Sequence, residues 1–252
     1  MNSVGKSLVL SGLLIAGEAA FGSNTAITPA PHINLKWLLR YESINLQALE
    51  GRFDVIYVGD SIVQHFNDRG IAVWEHYYAG RKALNLGLDG DRTEQVLWRL
   101  EHGNIDTIAP KLAIVMIGQN NGGCNTSGEI AEGVTAIVKT LRAKLPATKI
   151  LLLGIFPRRE KPTPERAVFA AANEIESKLA DGRTVFYMDL GGLFMRPDGS
   201  IPKSLMYDFE HPTPLGYRVW AEAMEPKVAE LIGDRPVAPM PREKPESVAS
   251  SY

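Results

Sequence analysis

Four short polar segments of this 252-residue chain contain residue types that can carry out acyl transfer. Each has an ordinary structural interpretation when it is taken alone. Gly-Asp-Ser after a strand usually caps a helix, Asn-Asn-Gly-Gly forms turns, and an Asp-x-x-His pair is usually a surface feature. Their presence together in one chain indicates a functional site. The segments are residues 59–61 (GDS), 87–91 (GLDGD), 118–121 (GQNN) and 208–211 (DFEH).

Ser61, His211 and Asp208 are the candidates for nucleophilic chemistry. A serine hydroxyl is a weak nucleophile until an adjacent base accepts its proton. His211 is the candidate base, and Asp208 is near enough in sequence to hold the second imidazole nitrogen. Pro212 disfavours helix at His211, so the imidazole is expected to precede the last helix. These three residues therefore form a candidate catalytic triad.

A tetrahedral intermediate also needs hydrogen-bond donors that are fixed in advance. The candidates are the backbone N–H groups of Ser61 and Gly90 and the side-chain amide of Asn120. Gly90 suits this role because it has no side chain to obstruct an acyl oxygen. Asp60 is expected to cap the helix that follows it. His65, His76 and His102 are expected to be surface or packing residues.

Alternating strand and helix patterns predict the framework that would bring these segments together. Thr213 and Pro214 are expected as the N-cap and first residue of the last helix. The alternation indicates an α/β fold with a parallel sheet between helices, in which ligands bind beyond the carboxyl ends of the strands. Strands are expected at residues 53–59, 83–88, 112–118, 149–155 and 184–190, and helices at 93–101, 129–145, 164–179 and 214–232.

Composition and charge exclude several classes of protein. The chain is 45% hydrophobic and 22% charged, with a net charge of −2, as in soluble globular proteins. The near-neutral charge and the lack of a basic stripe in the sequence argue against nucleic acid as a partner. The single cysteine, Cys124, leaves no pair for a disulfide within this chain and rules out a multi-cysteine zinc site. No dinucleotide, Walker, calcium-loop or His-Glu-x-x-His motif occurs, so we expect neither a cofactor nor a metal.

The two ends of the chain differ from its middle. Within residues 1–22, the basic residue Lys6 precedes an apolar run at 7–17. This pattern predicts a signal peptide and a secreted or periplasmic protein. A buried amino-terminal helix is the alternative. The run is shorter than the roughly 20 residues that cross a bilayer, so no stable membrane insertion is expected after signal removal. Residues 23–44 are expected to be a surface extension, with docking of residues 37–39 (WLL) onto the domain as the alternative. Residues 45–233 are expected to be one domain and 234–252 a disordered tail.

The sequence resembles the SGNH/GDSL hydrolase superfamily, and within it the esterases related to the catalytic subunits of platelet-activating-factor acetylhydrolase. The resemblance covers about residues 50–232. It implies a flavodoxin-like three-layer α/β/α fold with a mostly five-stranded parallel sheet. It also implies Ser61 as nucleophile, Gly90 and Asn120 as oxyanion donors, and Asp208 with His211 as the rest of the triad. The matching stretches are VGDSIVQ (58–64), ALNLGLDGDRTEQVLWRL (83–100), IGQNN (117–121), LLGIFPRREKPTPER (152–166) and DFEHPTPLGY (208–217).

Three departures from that pattern leave every catalytic group in place. Asn121 stands where the wider superfamily often has aspartate, although the acetylhydrolase-like branch also uses asparagine. Ile62 follows the Gly-Asp-Ser motif where leucine is usual, and Asp89 replaces a glycine that is common in the acetylhydrolase-like branch. Asp89 is therefore expected to change the floor of the site. Arg158 and Arg159 follow a strand and are expected as exposed surface charges, with contact to an acidic substrate as the alternative.

We expect a serine esterase that removes short acyl groups, acetyl above all, from a small acylated substrate such as an acetylated saccharide. A lipid-directed acetylhydrolase or lysophospholipase is one alternative, and a non-catalytic carbohydrate-binding protein on the same fold is another. The stretch 191–207 offers only scattered apolar residues, which predicts a small acyl pocket. Its candidate lining residues are Leu193, Phe194, Leu205 and Met206. The sequence does not decide between a monomer and a homodimer.

Overall fold

A computed structural model describes residues 24–241 of the chain. Its centre is a five-stranded parallel sheet in the order β2-β1-β3-β4-β5. This order is that of flavodoxin-like folds, so the predicted fold class is confirmed. The signal peptide predicted at residues 1–22 lies outside the described residues. The strands are β1 Val55–Gly59, β2 Ala83–Gly87, β3 Leu112–Met116, β4 Lys149–Leu153 and β5 Val185–Met188.

Seven α-helices of the described chain surround the sheet. Thr213 is the N-cap of the last one and Pro214 its first residue, as the sequence predicts. None of the helices within residues 24–241 has both the length and the hydropathy of a membrane-spanning segment. The helices are α1 Leu35–Glu50, α2 Ser61–Gln64, α3 Ile71–Tyr77, α4 Thr93–Glu101, α5 Ser127–Lys144, α6 Pro164–Glu176 and α7 Pro214–Ile232.

The strands are buried on both faces, so their side chains divide into two cores. In β1, Ile56 and Val58 point to the layer that contains α1, α4 and α5, whereas Val55 and Tyr57 point to the layer that contains α2, α3 and α7. Successive strand residues alternate between faces, which produces this division. Continuous apolar runs are therefore what a central parallel sheet requires, and they made these strands recognisable in the sequence.

The amino-terminal extension expected at 23–44 is part of the domain. Helix α1 crosses the expected boundary, and four of its side chains are buried in one of the two cores. The N-cap Asn34 accepts a hydrogen bond from the backbone N–H of Trp37 at 2.8 Å, which begins the helix. The expectation of a surface segment is therefore wrong for this part of the chain. The buried α1 residues are Trp37, Tyr41, Ile44 and Ala48.

Residues 234–241 lie against α3 and α7 without regular secondary structure. Asp234 accepts a hydrogen bond from Arg81, and the carbonyl oxygen of Ala238 lies 2.7 Å from Nε2 of His76. Val237 and Met240 pack on the core that contains α7. The tail expected at 234–252 thus begins as an ordered segment, and its part beyond residue 241 lies outside the described residues.

Candidate active site

Ser61 is the first residue of α2, directly after the carboxyl end of β1. The N-cap Asp60 is fully buried, and its carboxylate accepts a hydrogen bond from the backbone N–H of Ile62 at 3.0 Å. Glycines permit this tight connection. A Cβ on Gly59 would lie 2.3 Å from the carbonyl oxygen of Met116, and one on Gly87 would lie 2.3 Å from the backbone nitrogen of Gln64. Close backbone packing therefore presents the Ser61 hydroxyl at the edge of the sheet.

The structure brings Ser61, His211 and Asp208 into one hydrogen-bonded chain. Oγ of Ser61 lies 3.0 Å from Nε2 of His211, and Nδ1 of His211 lies 2.7 Å from Oδ2 of Asp208. With the ring proton on Nδ1, the imidazole donates to the carboxylate and Nε2 accepts from the serine hydroxyl. This arrangement is able to remove the hydroxyl proton during attack on an acyl group.

The short loop that carries His211 is held by its own backbone. Oδ1 of Asp208 accepts hydrogen bonds from the N–H groups of Glu210 at 3.1 Å and His211 at 2.8 Å. Burial opposes ionisation of Asp208, but the donors at His211 outweigh it and lower the pKa of this carboxyl. Phe209 has φ of 66°, a conformation that is rare for an aromatic residue. The Asp208 carboxylate is thus fixed in its ionised form beside the imidazole.

Gly90 and Asn120 lie at the ends of β2 and β3, on the same edge of the sheet as Ser61. Gly90 has φ of 77°, which glycine adopts readily, and it is exposed. Nδ2 of Asn120 donates to the carbonyl oxygen of Asp91 at 2.9 Å. A side-chain amide has two N–H donors, so the second is available for a substrate oxygen. The structure therefore connects the two segments that contain the predicted oxyanion donors.

A buried network stabilises the Gly90 segment from below. Asp91 accepts from Nε1 of Trp37 at 2.5 Å and from Nε of Arg99 at 2.8 Å. Asn121 is fully buried, and its side chain accepts from the backbone N–H of Thr93 at 3.1 Å. These supports come from α1, α4 and the turn after β3. The sequence analysis did not predict this support from Trp37, Arg99 or Asn121, because the type of a side chain does not show which distant residue it bonds.

His65 lies beside the candidate triad, which the sequence did not predict. Its ring centroid is 6.0 Å from that of His211, in an edge-on arrangement. Nδ1 of His65 is 2.7 Å from Asp68, and Nε2 is 3.2 Å from Asp89. The hydrogen bond to Asp89 raises the pKa of His65, while burial acts in the opposite direction. Asp89, the departure noted in the sequence, therefore faces a histidine next to the site.

Two sequence expectations are wrong because of burial. Arg158 is not an exposed charge: its guanidinium is largely buried and bonded to Glu165 and Glu210, with Nη1 at 3.0 Å from Glu210. Phe194 and Met206 have no exposed surface and belong to the core beside α7, so they do not line an open acyl pocket. Arg159 is exposed, as expected.

The arrangement of this site on a flavodoxin-like sheet is that of an acyl-ester hydrolase, and comparison with known proteins agrees. The GDSL-like lipase/acylhydrolase family model matches residues 57–219, which is more than half of the chain. The human protein named platelet-activating factor acetylhydrolase IB subunit alpha2 is 35% identical over 202 residues, covering 80% of this chain and 87% of the relative. The chain belongs to the GDSL-like lipase/acylhydrolase family and is a hydrolase.

Solved structures show the same fold at lower sequence identity. A putative acylhydrolase from Bacteroides fragilis superposes with a TM-score of 0.65 at 16% identity, covering 80% of this chain and all of the other. An acetylxylan esterase from Geobacillus stearothermophilus superposes with a TM-score of 0.55 at 16% identity, covering 73% of this chain and 94% of the other. At this level of identity the likeness supports the fold alone.

Proposed function

We propose that this enzyme is a serine esterase that hydrolyses short-chain acyl esters, acetyl esters above all, on carbohydrates. In the proposed reaction Ser61 attacks the acyl carbon while His211 accepts its proton. The imidazolium, held by Asp208, then returns the proton to the leaving alcohol. Water repeats the sequence on the acyl-enzyme, and the acid is released.

The observation that carries this proposal is the continuous hydrogen-bonded chain from Ser61 through His211 to Asp208. Gly90 follows β2 and Asn120 follows β3, the two strands that flank β1 in the sheet. Their N–H groups are proposed to bind the developing oxyanion together with the Ser61 backbone N–H. Such donors act on the transition state more than on the ground-state carbonyl, so they contribute to the rate of the chemical step.

The preference for carbohydrate acceptors is supported by the structural neighbour described as an acetylxylan esterase. A lipid-directed acetylhydrolase is the second candidate, and the 35% identical relative named as a platelet-activating factor acetylhydrolase favours it. Both candidates use the same acyl chemistry and differ only in the alcohol that leaves. The non-catalytic alternative is disfavoured because no member of the triad is missing.

Steady-state kinetics with a small panel tests the proposal. The panel contains 4-nitrophenyl acetate, an acetylated xylooligosaccharide and an acetyl glycerophospholipid, each assayed with the wild-type enzyme and Ser61→Ala. We expect hydrolysis that depends on Ser61 and a higher kcat/KM on the oligosaccharide than on the phospholipid. A higher kcat/KM on the phospholipid would favour the second candidate, and hydrolysis independent of Ser61 would refute the mechanism.

We further propose that the enzyme is exported by the amino-terminal signal predicted at residues 1–22. Support comes from the apolar run at 7–17 and from the small residues Ala20 and Gly22. Expression of the full chain in a secreting host, followed by amino-terminal sequencing of the product, tests this. Cleavage after Gly22 is expected, and an intact amino terminus inside the cell would contradict it.

A further inference from the structure

A groove of about 840 Å³ lies next to the candidate active site, between the amino-terminal part of α1 and the segment that contains Gly90. Two of its lining residues connect it to the reaction centre. Gln64 is three residues after Ser61 in α2, a rise of about 4.5 Å along the helix axis. Asp89 precedes Gly90 directly, with Cα atoms about 3.8 Å apart. The groove therefore adjoins both the nucleophile and a proposed oxyanion donor.

The groove has an apolar wall formed by Leu35, Trp37 and Leu88, and its polar side chains have hydrogen-bonding groups that are not used within the described residues. Within residues 24–241, Asn34 uses its oxygen to accept from Trp37, and Gln64 uses its oxygen to accept from the backbone N–H of Asp89 at 2.9 Å. Their NH₂ groups remain as donors. One oxygen of Asp89 bonds His65, which leaves the other as an acceptor. Such a mixture of donors and acceptors suits the hydroxyl groups of a sugar.

Arg40 is the cation that distinguishes this groove. Its Nε donates to the carbonyl oxygen of Gly87 at 2.8 Å, which fixes the half-buried guanidinium at the end of β2. Among the residues that the structure describes, no carboxylate lies within ion-pair distance of it. The two terminal nitrogens are therefore available as a fork of N–H donors, the geometry that binds an oxyanion through two parallel hydrogen bonds.

We propose that this groove binds the acyl acceptor and that Arg40 recognises a carboxylate on it, so that the preferred substrate is an acetylated sugar acid. This inference rests on the proposed esterase function and specifies its substrate class. Asn34, Gln64 and Asp89 bind the sugar hydroxyls, while Arg40 pairs with the carboxylate. Lys36, an exposed residue of the same groove, adds positive charge. The phosphate of a lipid headgroup is the competing anion for Arg40.

The test compares matched acidic and neutral acceptors. The first pair is 4-acetoxybenzoate and its methyl ester; the second is an O-acetylated uronic acid glycoside and the same glycoside methyl-esterified at its carboxylate. We expect the wild-type kcat/KM to be at least about fivefold higher on the acid of each pair. In Arg40→Gln the acid-to-neutral ratio should fall about tenfold to a hundredfold, the range expected for charge-assisted hydrogen bonds. Most of this loss should appear in KM, because a remote binding contact acts before and during the reaction alike.

Two further variants separate recognition from structure. Arg52→Gln removes the same charge just beyond α1, at an exposed position, and should leave the acid-to-neutral ratio unchanged. Arg40→Lys keeps the charge without the fork, and it should recover only part of the ratio. Arg40→Lys also tests the inference if Arg40→Gln loses the bond to Gly87 and melts at a much lower temperature than the wild type.

The outcomes that would overturn the inference are distinct from failure of the esterase mechanism. A wild-type enzyme with no preference for the acids, or equal losses on acid and neutral esters in Arg40→Gln, would show that Arg40 only supports the Gly87 backbone. A preference for an acetyl glycerophospholipid that disappears in Arg40→Gln would overturn the sugar assignment in favour of a phosphate. By contrast, failure of the proposed function would appear as hydrolysis of the neutral esters that does not require Ser61.

Discussion

Oγ of Ser61 lies 3.0 Å from Nε2 of His211, although 150 residues separate them in the chain. Ser61 begins a helix after β1, whereas His211 precedes the last helix, so the parallel sheet and α7 together create this contact. Tyr217 of α7 donates its hydroxyl hydrogen to the carbonyl oxygen of Ile62 at 2.8 Å, which joins the two elements directly beneath the pair. The contact is therefore a product of the folded domain and not of any local segment.

We predict that Ser61→Ala and His211→Ala each lower kcat by about 10⁴-fold or more, because the two side chains act as one unit in proton transfer. Asp208→Ala should be milder, since it removes the support of the imidazole without removing the base. The measurement is kcat on 4-nitrophenyl acetate, with thermal melting to show that each variant folds. Half of the wild-type activity in Ser61→Ala would exclude this residue as the nucleophile.

Asn120→Ala should lower kcat on the order of 10²–10³-fold with little change in KM, as expected for loss of one oxyanion donor. The amide is already anchored through its bond to the Asp91 carbonyl, so its free N–H needs no reorientation during the reaction. Kinetics at saturating and at low substrate concentration separate the two constants. A change confined to KM would instead make Asn120 a substrate-positioning residue.

Activity should decrease as the acyl chain lengthens from acetyl to octanoyl, without interfacial activation. An added methylene gains about 0.8 kcal/mol only where it covers apolar surface. Phe194 and Met206 provide none, because they are fully buried in the core. The kcat/KM values on acetyl, butyryl, hexanoyl and octanoyl esters of one alcohol decide the matter. A steady increase with chain length would argue for the lipid-directed alternative.

Arg158→Gln should lower both stability and kcat. Arg158 joins Glu165 at the start of α6 to Glu210, which lies between Asp208 and His211 in the catalytic loop. Its loss leaves the largely buried Glu210 without its ion-pair partner and Glu165 with only the longer contact to exposed Arg159 at 3.6 Å, at a cost of about 2 kcal/mol in unfolding free energy. We expect a several-fold lower kcat because the loop loses its attachment. Denaturant unfolding and kinetics test this, with Arg183→Gln as the control, because Arg183 is exposed and has no ion pair among the described residues. Equal behaviour of the two variants would contradict the prediction.

Glu176 makes the stability of the fold decrease as the pH rises from 4.5 to about 8. Its side chain is fully buried with neither oxygen hydrogen-bonded among the described residues, and burial raises its pKa from 4.5 to about 8. The unfolded chain releases this proton near pH 4.5 and the folded one only near pH 8. Stability from this group is therefore complete below pH 4.5 and declines as the pH rises to 8.

Glu176→Gln should remove that decline, with a gain over the wild type that reaches up to the order of 4 kcal/mol at pH 9 and vanishes near pH 4. Unfolding free energies measured between these two pH values provide the test. Glu174→Gln, an exposed change in the same helix, is the control and should leave the pH profile as it is. Parallel profiles for wild type and Glu176→Gln would show that the carboxyl is ionised in the folded state.

What the amino-acid sequence determined by itself was the fold class, the order of the elements and the candidate chemistry. The apolar runs of β1 and β3 are continuous because these central strands are covered on both faces, so they were readable without a structure. Thr213 and Pro214 marked the start of α7 through local capping rules. The candidate triad was also readable, because Ser61 follows a predicted strand, Asp208 and His211 precede the last helix, and these three residue types together serve acyl transfer.

Only the tertiary structure decided the surroundings of that chemistry. Trp37 supports Asp91 from α1, His65 faces His211, and Arg158 is buried between two glutamates. Arg40 reaches Gly87 from a helix that the sequence patterns did not predict. These contacts join residues that are distant in the chain. The charge or ring of a side chain shows what it is able to bind. Its actual partner depends on which helices and strands pack together, and only the fold of the whole domain decides that.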